Sequence, residues 1–280
     1  MEKEREMRQA EWYISTVKCA NGVEYKTKFP VYRGEAIRFS FRPSIREINR
    51  AAKQSRETAV DMGQTLNENW KTGKDEHIVF DFSDAGLEKI IRRAGSEDRD
   101  AMRDAGEVWF GECFIDKTLR RACAKAGVAL RYDWIISDMD GDTKEPERLH
   151  VHMVCDRAVR EVAERVWKLG RVEHKTLYSH NHGDLQELAD YLIAQVRTVA
   201  GRKRHHPSRN LAKPERTKPI KARSPSADLI VPKGCEKIYR SEFQAGRPQM
   251  LRYWRPPGKM SEIRETATRD AHRGAGAIPN

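Results

Sequence analysis

A short apolar run that contains two histidines constrains the fold of this chain more than any other feature. Leu149, Val151 and Met153 alternate with His150 and His152. Side chains alternate between the two faces of a strand. The three apolar residues are therefore predicted to enter a core, while both imidazoles project from the opposite face. At about 3.3 Å per residue the histidines lie about 7 Å apart along the strand, and two imidazoles so placed can hold one divalent ion.

An amphipathic helix is predicted downstream, from Asp184 to about Val199. Asp184 and Glu187 are predicted to form a capping pair at its start. Tyr191 and Gln195 lie one turn apart at the border of the apolar stripe, where a nucleophile and a third metal ligand could stand side by side. The apolar residues at helical spacing are Leu185, Leu188, Ala189, Leu192 and Val196.

Each of these features also has an ordinary structural interpretation. The two histidines can be core residues, and the tyrosine can be a residue at the core boundary. Gln195 can be a surface glutamine, and in that case an acidic residue near the predicted sheet, Asp81 or Asp133, becomes the candidate for the third ligand. The combination, an H-x-H strand followed by a helix with Tyr and Gln four residues apart, is much less common by chance than any one part.

The order of motifs resembles that of the HUH endonucleases, specifically the rolling-circle replication initiators (Rep proteins) of phages, plasmids and integrated elements. The resemblance covers roughly residues 45–215. No single motif is specific for the family, but the order in which the motifs occur is. The segments that carry it are NENWKTGKD at 67–75, HIVFDF at 77–82, RLHVHMV at 148–154, WKLGRVE at 167–173, LADYLIAQ at 188–195 and SRNLAKP at 208–214.

The resemblance implies a site-specific endonuclease for single-stranded DNA at a replication origin. Tyr191 would be its only nucleophile, and it would leave a 5′-phosphotyrosine and a free 3′-OH that primes rolling-circle replication. Mg²⁺ or Mn²⁺ would be held by His150, His152 and, as the proposed third ligand, Gln195. A host helicase and polymerase would be partners. A relaxase or single-strand transposase would share this site, and a DNA-binding regulator that has lost cleavage would keep the fold.

The chain departs from this family at one position. The family usually carries a lysine three residues after the nucleophile, where its charge can steady the phosphate, and this chain has Ala194 there. Arg197, six residues after Tyr191, shares the helix face less well. The resemblance therefore leaves open how the scissile phosphate is held and whether cleavage keeps its full rate.

The charge of the chain favours a polyanionic partner. Its 280 residues carry a formal net charge of +11, which attracts nucleic acid. The five cysteines include no CxxC pair and favour a reducing cytosol over a disulfide framework. No apolar stretch approaches the roughly 20 residues that span a bilayer, and the charged N-terminus lacks a signal-peptide pattern. We therefore expect a cytoplasmic protein with no membrane partner.

Residues 197–223 concentrate the positive charge. Ten Lys or Arg residues stand there against one acid, Glu215, among several prolines. Such a composition opposes a packed core, so the segment is either a solvated linker or an arm that contacts phosphates. His205 and His206 are expected to contact phosphate or solvent rather than a metal. The residues predicted to bind DNA are Arg197, Arg202, Lys203, Arg204, Arg209 and Lys213.

The order of strand and helix patterns predicts an α+β fold. It indicates a ferredoxin-like antiparallel sheet with helices packed on one side, including a hairpin around the polar turn 138–147. The predicted core strands are 77–82, 129–137, 149–155 and 172–177. The predicted segments are an N-terminal extension (1–75), an HUH endonuclease core (76–200) and a basic, proline-containing C-terminal region (201–280).

Overall fold

The computed structural model describes residues 10–32, 50–140, 143, 145–196, 203–224, 228–242 and 248–257. The chain forms two compact units, one of residues 44–214 and one made of its two flanking parts, 1–43 and 215–280. This division differs from the three consecutive segments that the sequence suggested. The N-terminal strands pair with C-terminal strands far away in sequence, and the helix before the predicted core belongs to the central unit.

The elements are numbered here in chain order, separately for strands and helices. The strands are β1 (Ala10–Lys18), β2 (Val23–Tyr32), β3 (Glu76–Asp81), β4 (Tyr132–Met139), β5 (Pro146–Cys155), β6 (Val172–Thr176), β7 (His206–Pro207), β8 (Glu215–Arg216), β9 (Ile220–Lys221), β10 (Glu236–Arg240) and β11 (Gln249–Trp254). The helices are α1 (Arg50–Asn69), α2 (Asp84–Ala94), α3 (Arg99–Trp109), α4 (Arg120–Lys125), α5 (Arg157–Val166) and α6 (Gln186–Ala194), with a π-helical stretch, Phe110–Leu119, between α3 and α4.

The central unit is built on a five-stranded antiparallel sheet in the order β6-β3-β5-β4-β7. The predicted hairpin is present as β4 and β5, and the predicted α+β class with antiparallel sheets is confirmed. Strand β5 lies in the middle, with Asp81 of β3 and Ser137 of β4 directly opposite His150. Both histidines therefore lie at the centre of the sheet rather than at its edge.

Helices cover both faces of this sheet, not one face as the sequence suggested. On one face Phe80, Val151 and Met153 belong to a core that also includes residues of α2, the π-helical stretch, α4 and α5. On the other face Ile135 and Val154 belong to a second core with α1 and α6. Helix α1 has few apolar residues, so its sequence looks polar throughout. Met62 and Leu66 in its second half, and Trp70 directly after it, are nevertheless fully buried.

The flanking unit is an antiparallel sheet in the order β10-β11-β2-β1-β8, with β9 also paired to β1. Its core includes Leu229, Leu251 and Tyr253, and the Tyr253 hydroxyl donates to the buried Glu24 carboxylate at 2.7 Å. Tyr253 is therefore a core residue, whereas Tyr239 is exposed. Among the aromatic residues of β10 and β11, Tyr239 has the most exposed side chain.

Candidate metal centre and nucleophile

The alternation along β5 places its histidines as predicted. Leu149, Val151 and Met153 enter the first core, and His150 and His152 lie on the opposite face, where α1 and α6 pack. Both histidines are buried, with exposed fractions of 5% and 4%. Two buried imidazoles side by side require either hydrogen-bond partners or an ion.

Three side-chain atoms converge at this point. The Nε2 atoms of His150 and His152 are 3.0 Å apart, and the Oε1 atom of Gln195 lies 3.1 Å from His152 Nε2 and 3.5 Å from His150 Nε2. Atoms that bind a small divalent ion at about 2.1 Å with angles of about 90–110° are separated by about 3.0–3.4 Å. The three atoms therefore have the spacing of three neighbouring ligands in the six-coordinate shell of a divalent ion.

The other ring nitrogens decide which protons face this triangle. His150 Nδ1 lies 2.7 Å from the Arg148 carbonyl. It must donate there, which leaves a lone pair on its Nε2. His152 Nδ1 lies 2.9 Å from His77 Nε2. If His152 Nδ1 donates to His77, its own Nε2 is also a lone pair and all three converging atoms are acceptors. In the other tautomer His152 Nε2 donates to its neighbours, and the network closes without an ion.

Burial lowers the pKa of two of these histidines. Together with the neighbouring Lys175 and His150, it brings the pKa of His77 to about 4. It also holds the pKa of His152 well below its usual value, and the charges of His77 and His150 act in the same direction. A neutral imidazole is the form that binds metal. His77 lies outside the H-x-H motif, and the register of β3 with β5 places it on the histidine face.

Gln195 is buried, with an exposed fraction of 1%, so its interpretation as a surface glutamine is wrong. It follows the last residue of α6, and its backbone carbonyl accepts a 3.0 Å hydrogen bond from Ser137 Oγ. Its side-chain Nε2 is buried and has no hydrogen-bond partner among the described residues. The amide oxygen thus faces the histidines, while the amide nitrogen lacks an acceptor.

The two carboxylates considered as alternative ligands have other partners. Asp81 lies opposite His150 on β3, but its Oδ2 atom accepts from Arg171 at 3.1 Å. Asp133 is fully buried and bonds His205 Nδ1 at 2.8 Å. Within the described part of the chain, no group of three or more His, Cys, Asp or Glu side chains is arranged to hold a metal. The candidate site consists of two histidines and an amide.

Tyr191 lies beside the triangle at the edge of the packed region. Its ring centroid is 6.2 Å from that of His152, with the two planes nearly perpendicular, and the side chain is 39% exposed. The predicted position at the border of the apolar stripe is therefore confirmed. Helix α6 begins at Gln186 rather than Asp184 and ends at Ala194. The end of the longer predicted helix, residues 197–199, lies outside the described residues.

The start of α6 is held from α1 rather than by the predicted capping pair. Asn67 donates to Asp184 Oδ1 at 2.9 Å and accepts from the Leu185 backbone N–H at 2.8 Å. Asp184 Oδ1 also accepts from the Gln186 N–H, whereas Glu187 accepts from Asn181 in the preceding loop. The asparagine of the 67–75 motif thus fixes where the tyrosine helix begins.

The 208–214 motif ties the chain to the edge of the sheet. Ser208 exchanges two hydrogen bonds with the backbone of Tyr132, its N–H donating and its Oγ accepting. Ala212 bonds the side chain of Asn69 through both its N–H and its carbonyl. His206 stacks on Trp134 at 4.0 Å and pairs with it as part of β7. This part of the basic segment is therefore an ordered strap and not a solvated linker.

The predicted DNA-binding residues separate into three groups. Lys203, Arg209 and Lys213 are exposed. Arg204 is only 4% exposed and donates to Ser55, which leaves little of its side chain open to a phosphate. His205 is likewise bound to Asp133 rather than available to phosphate. Arg197 and Arg202 lie outside the described residues.

Comparisons of the chain with protein-family models, with curated proteins and with solved structures find no match. None of the described helices has the length and apolar character needed to cross a membrane. The site itself offers three converging ligand atoms, a half-exposed tyrosine beside them, and exposed basic side chains on the strap.

Proposed function

We propose that the chain is a metal-dependent endonuclease that nicks single-stranded DNA through Tyr191 and thereby initiates rolling-circle replication. The observation that carries this proposal is the triangle of His150, His152 and Gln195 with a half-exposed tyrosine at its edge. The order of motifs and of the central strands supports an HUH-type, ferredoxin-like core. The +11 net charge supports a nucleic-acid partner, and five cysteines without a CxxC pair agree with a reducing cytoplasm.

Each residue of the site has a distinct task in this proposal. His150, His152 and Gln195 would hold Mg²⁺ or Mn²⁺, which when bound withdraws charge from the scissile phosphate as a Lewis acid. The exposed Lys203, Arg209 and Lys213 can follow the DNA backbone. His77 can accept from His152 and so fix the tautomer that presents its lone pair.

The covalent step exchanges one phosphoester bond for another. The Tyr191 oxygen loses its proton to solvent and attacks phosphorus in line with the departing 3′-oxygen. The tyrosine O–P bond forms as the P–O3′ bond breaks, and the 3′-oxygen takes up a proton. The products are a 5′-phosphotyrosine and a 3′-OH that a host polymerase, working with a helicase, can extend. Because the phosphodiester is conserved in the adduct, a later 3′-OH can reverse the step and close a circle.

Covalent trapping tests this function directly. The full chain is incubated with a single-stranded oligonucleotide library and Mn²⁺, and protein-linked DNA is separated in denaturant. Wild type should form an adduct and Tyr191→Phe should not, because Phe lacks the attacking oxygen. Tyr178→Phe is the matched control, since Tyr178 is exposed and lies outside the site. An adduct that survives in Tyr191→Phe would overturn the assignment.

A non-catalytic DNA-binding regulator is the second candidate. It is favoured by the tautomer in which His152 Nε2 donates to His150 and Gln195, because that network is complete without a metal. The substitution of the family lysine by Ala194 agrees with it. DNA binding without any adduct in Mn²⁺ or Mg²⁺ would support the regulator over the nuclease.

A further inference from the structure

Lys175 lies on the edge strand of the central sheet, on the face that carries the histidine cluster. It stands directly opposite His77 in the pairing of β3 with β6, and residues directly opposite each other project from the same face. His77 in turn contacts His152 at 2.9 Å, and the His152 ring faces that of Tyr191. The chain of neighbours thus runs from Lys175 to the candidate nucleophile.

The charges around Lys175 leave it available for an anion. Its side chain is exposed and forms no ion pair within the described residues. Arg171, the other cation near this part of the face, is held by two carboxylates, Glu173 at 2.8 Å and Asp81 at 3.1 Å. Among the residues that the structure describes, Lys175 is therefore a cation beside the cluster that has no carboxylate partner.

The tyrosine helix does not supply such a charge. Ala194 on α6 is exposed, but its methyl group cannot bind an oxygen anion. A bound DNA phosphate beside Tyr191 would need a cation from another element. A lysine carries its ammonium on a flexible four-carbon stem, and neighbouring strands lie only about 4.8 Å apart. Lys175 can therefore bend across His77 toward the mouth of the site.

We propose that Lys175 of the edge strand β6 binds the scissile phosphate, taking the place that a lysine on the tyrosine helix would otherwise hold. This inference rests on the proposed nuclease function and deepens it. The ligand is a phosphodiester of single-stranded DNA, recognised through its negative charge. Lys175 then acts on the substrate itself, while the metal is held by other residues.

The test compares Lys175→Ala, Lys175→Arg and the control Lys125→Ala, an exposed lysine on helix α4 next to the opposite core. Single-turnover adduct formation in saturating Mn²⁺ should fall about 100-fold in Lys175→Ala, as expected when one positioned charge or donor is removed. Lys175→Arg should recover most of the rate. The metal concentration for half-maximal rate and the thermal midpoint should stay at the wild-type values.

A second measurement does not depend on catalysis. In the Tyr191→Phe background, affinity is measured for an oligonucleotide with the native scissile phosphate and for one with a neutral methylphosphonate there. Adding Lys175→Ala should weaken binding of the native strand and leave that of the methylphosphonate unchanged. Equal losses for both strands, or an unchanged adduct rate in Lys175→Ala, would overturn the inference while leaving the nuclease intact. Absence of any wild-type adduct would overturn both.

Discussion

The two faces of the central sheet are made from alternate residues of the same strands, yet they differ in chemistry. On one face Phe80 packs against Phe110, Phe114 and Trp167 with ring centroids 5.4, 5.4 and 5.0 Å apart. On the other face the cross-strand neighbours include imidazoles, and His152 contacts His77, His150 and Gln195 through polar atoms. One face is an aromatic core, whereas the other combines an apolar core with a cluster of buried polar groups that contact one another.

Burial therefore serves two purposes in one sheet. On the aromatic face burial removes apolar surface from water and stabilises the fold. On the histidine face burial lowers the pKa values of His77 and His152 and so prepares neutral nitrogen ligands. Removing an aromatic side chain from the first face should therefore lower stability, whereas removing a histidine from the second should change the chemistry. The substitutions below test this difference, and those with the greatest predicted consequence come first.

The largest effect should come from His152→Ala on the histidine face. Removal of this ring takes away one of the three ligand atoms, and it also removes the contact between His77 and the site. Adduct formation should therefore fall below detection. His150→Ala should behave in the same way, and EDTA should have the same effect on wild type. The adduct is measured by denaturing gel and the fold by circular dichroism. If either variant unfolds, the histidines are core residues and the two faces do not differ as described.

The aromatic face should give the opposite result. Phe80→Ala removes a fully buried ring and should lower the free energy of unfolding by about 3–5 kcal/mol. At temperatures where the variant is still folded, its metal-dependent adduct formation should persist. Urea titration measures the first effect, and the gel assay measures the second. Loss of metal response in a folded Phe80→Ala variant would show that the faces are coupled.

Substitution of Gln195 should have a smaller effect, which is confined to the affinity for the metal. Gln195→Ala should raise the metal concentration for half-maximal cleavage tenfold or more, within the roughly 10–100-fold effect of disturbed metal-site partners. Gln195→Glu adds a hard anionic oxygen and should tighten metal binding or leave it unchanged. A Mn²⁺ titration of Gln195→Ala that overlays wild type would remove Gln195 from the ligand set.

The smallest effect concerns the buried pair of His205 and Asp133 on the histidine face. Burial alone would lower the pKa of His205, but the charge and hydrogen bond of Asp133, with the charge of Asp61, raise it. The stabilising contribution of the protonated ring is therefore complete below the ordinary histidine pKa of about 6.5 and is lost as the pH rises through the raised folded value.

The matched comparison for this pair is wild type against His205→Gln. The difference in melting temperature between them should be a few degrees near pH 5.5 and should shrink at pH 9, as about 1 kcal/mol corresponds to about 2–4 °C for a unit of this size. Differential scanning calorimetry at both pH values measures it. A difference that is equal at the two pH values would mean that His205 contributes only by packing.

The alternation of residues along β5 was sufficient to predict both faces, because a strand has a fixed period of two. The helix border position of Tyr191 followed in the same way from a period of 3.6. What could not be predicted depends on contacts between distant segments. The polar sequence of α1 conceals its buried side, and Arg204 is charged yet buried beside Ser55. His77 joins the cluster only through the register of β3 with β5.

The division into two units was missed for a similar reason. Strand β1 pairs with Glu215–Arg216 and Ile220–Lys221, two-residue strands that lie within a segment rich in charge and proline. Nothing in their composition indicates a strand. The capping pair failed because the side chain of Asn67 in α1 bonds both Asp184 and the Leu185 N–H. Tertiary hydrogen bonds here override a local pattern that is plausible in isolation.

The most direct test of the central claim is the identity of the atom that becomes linked to DNA. The wild-type adduct formed in Mn²⁺ is digested with nuclease and protease, and the modified peptide is sequenced by mass spectrometry. The account predicts a single nucleotide attached through its 5′-phosphate to Tyr191, with none in the presence of EDTA. A nucleotide on another residue, attachment through a 3′-phosphate, or an adduct of equal yield in EDTA would contradict it.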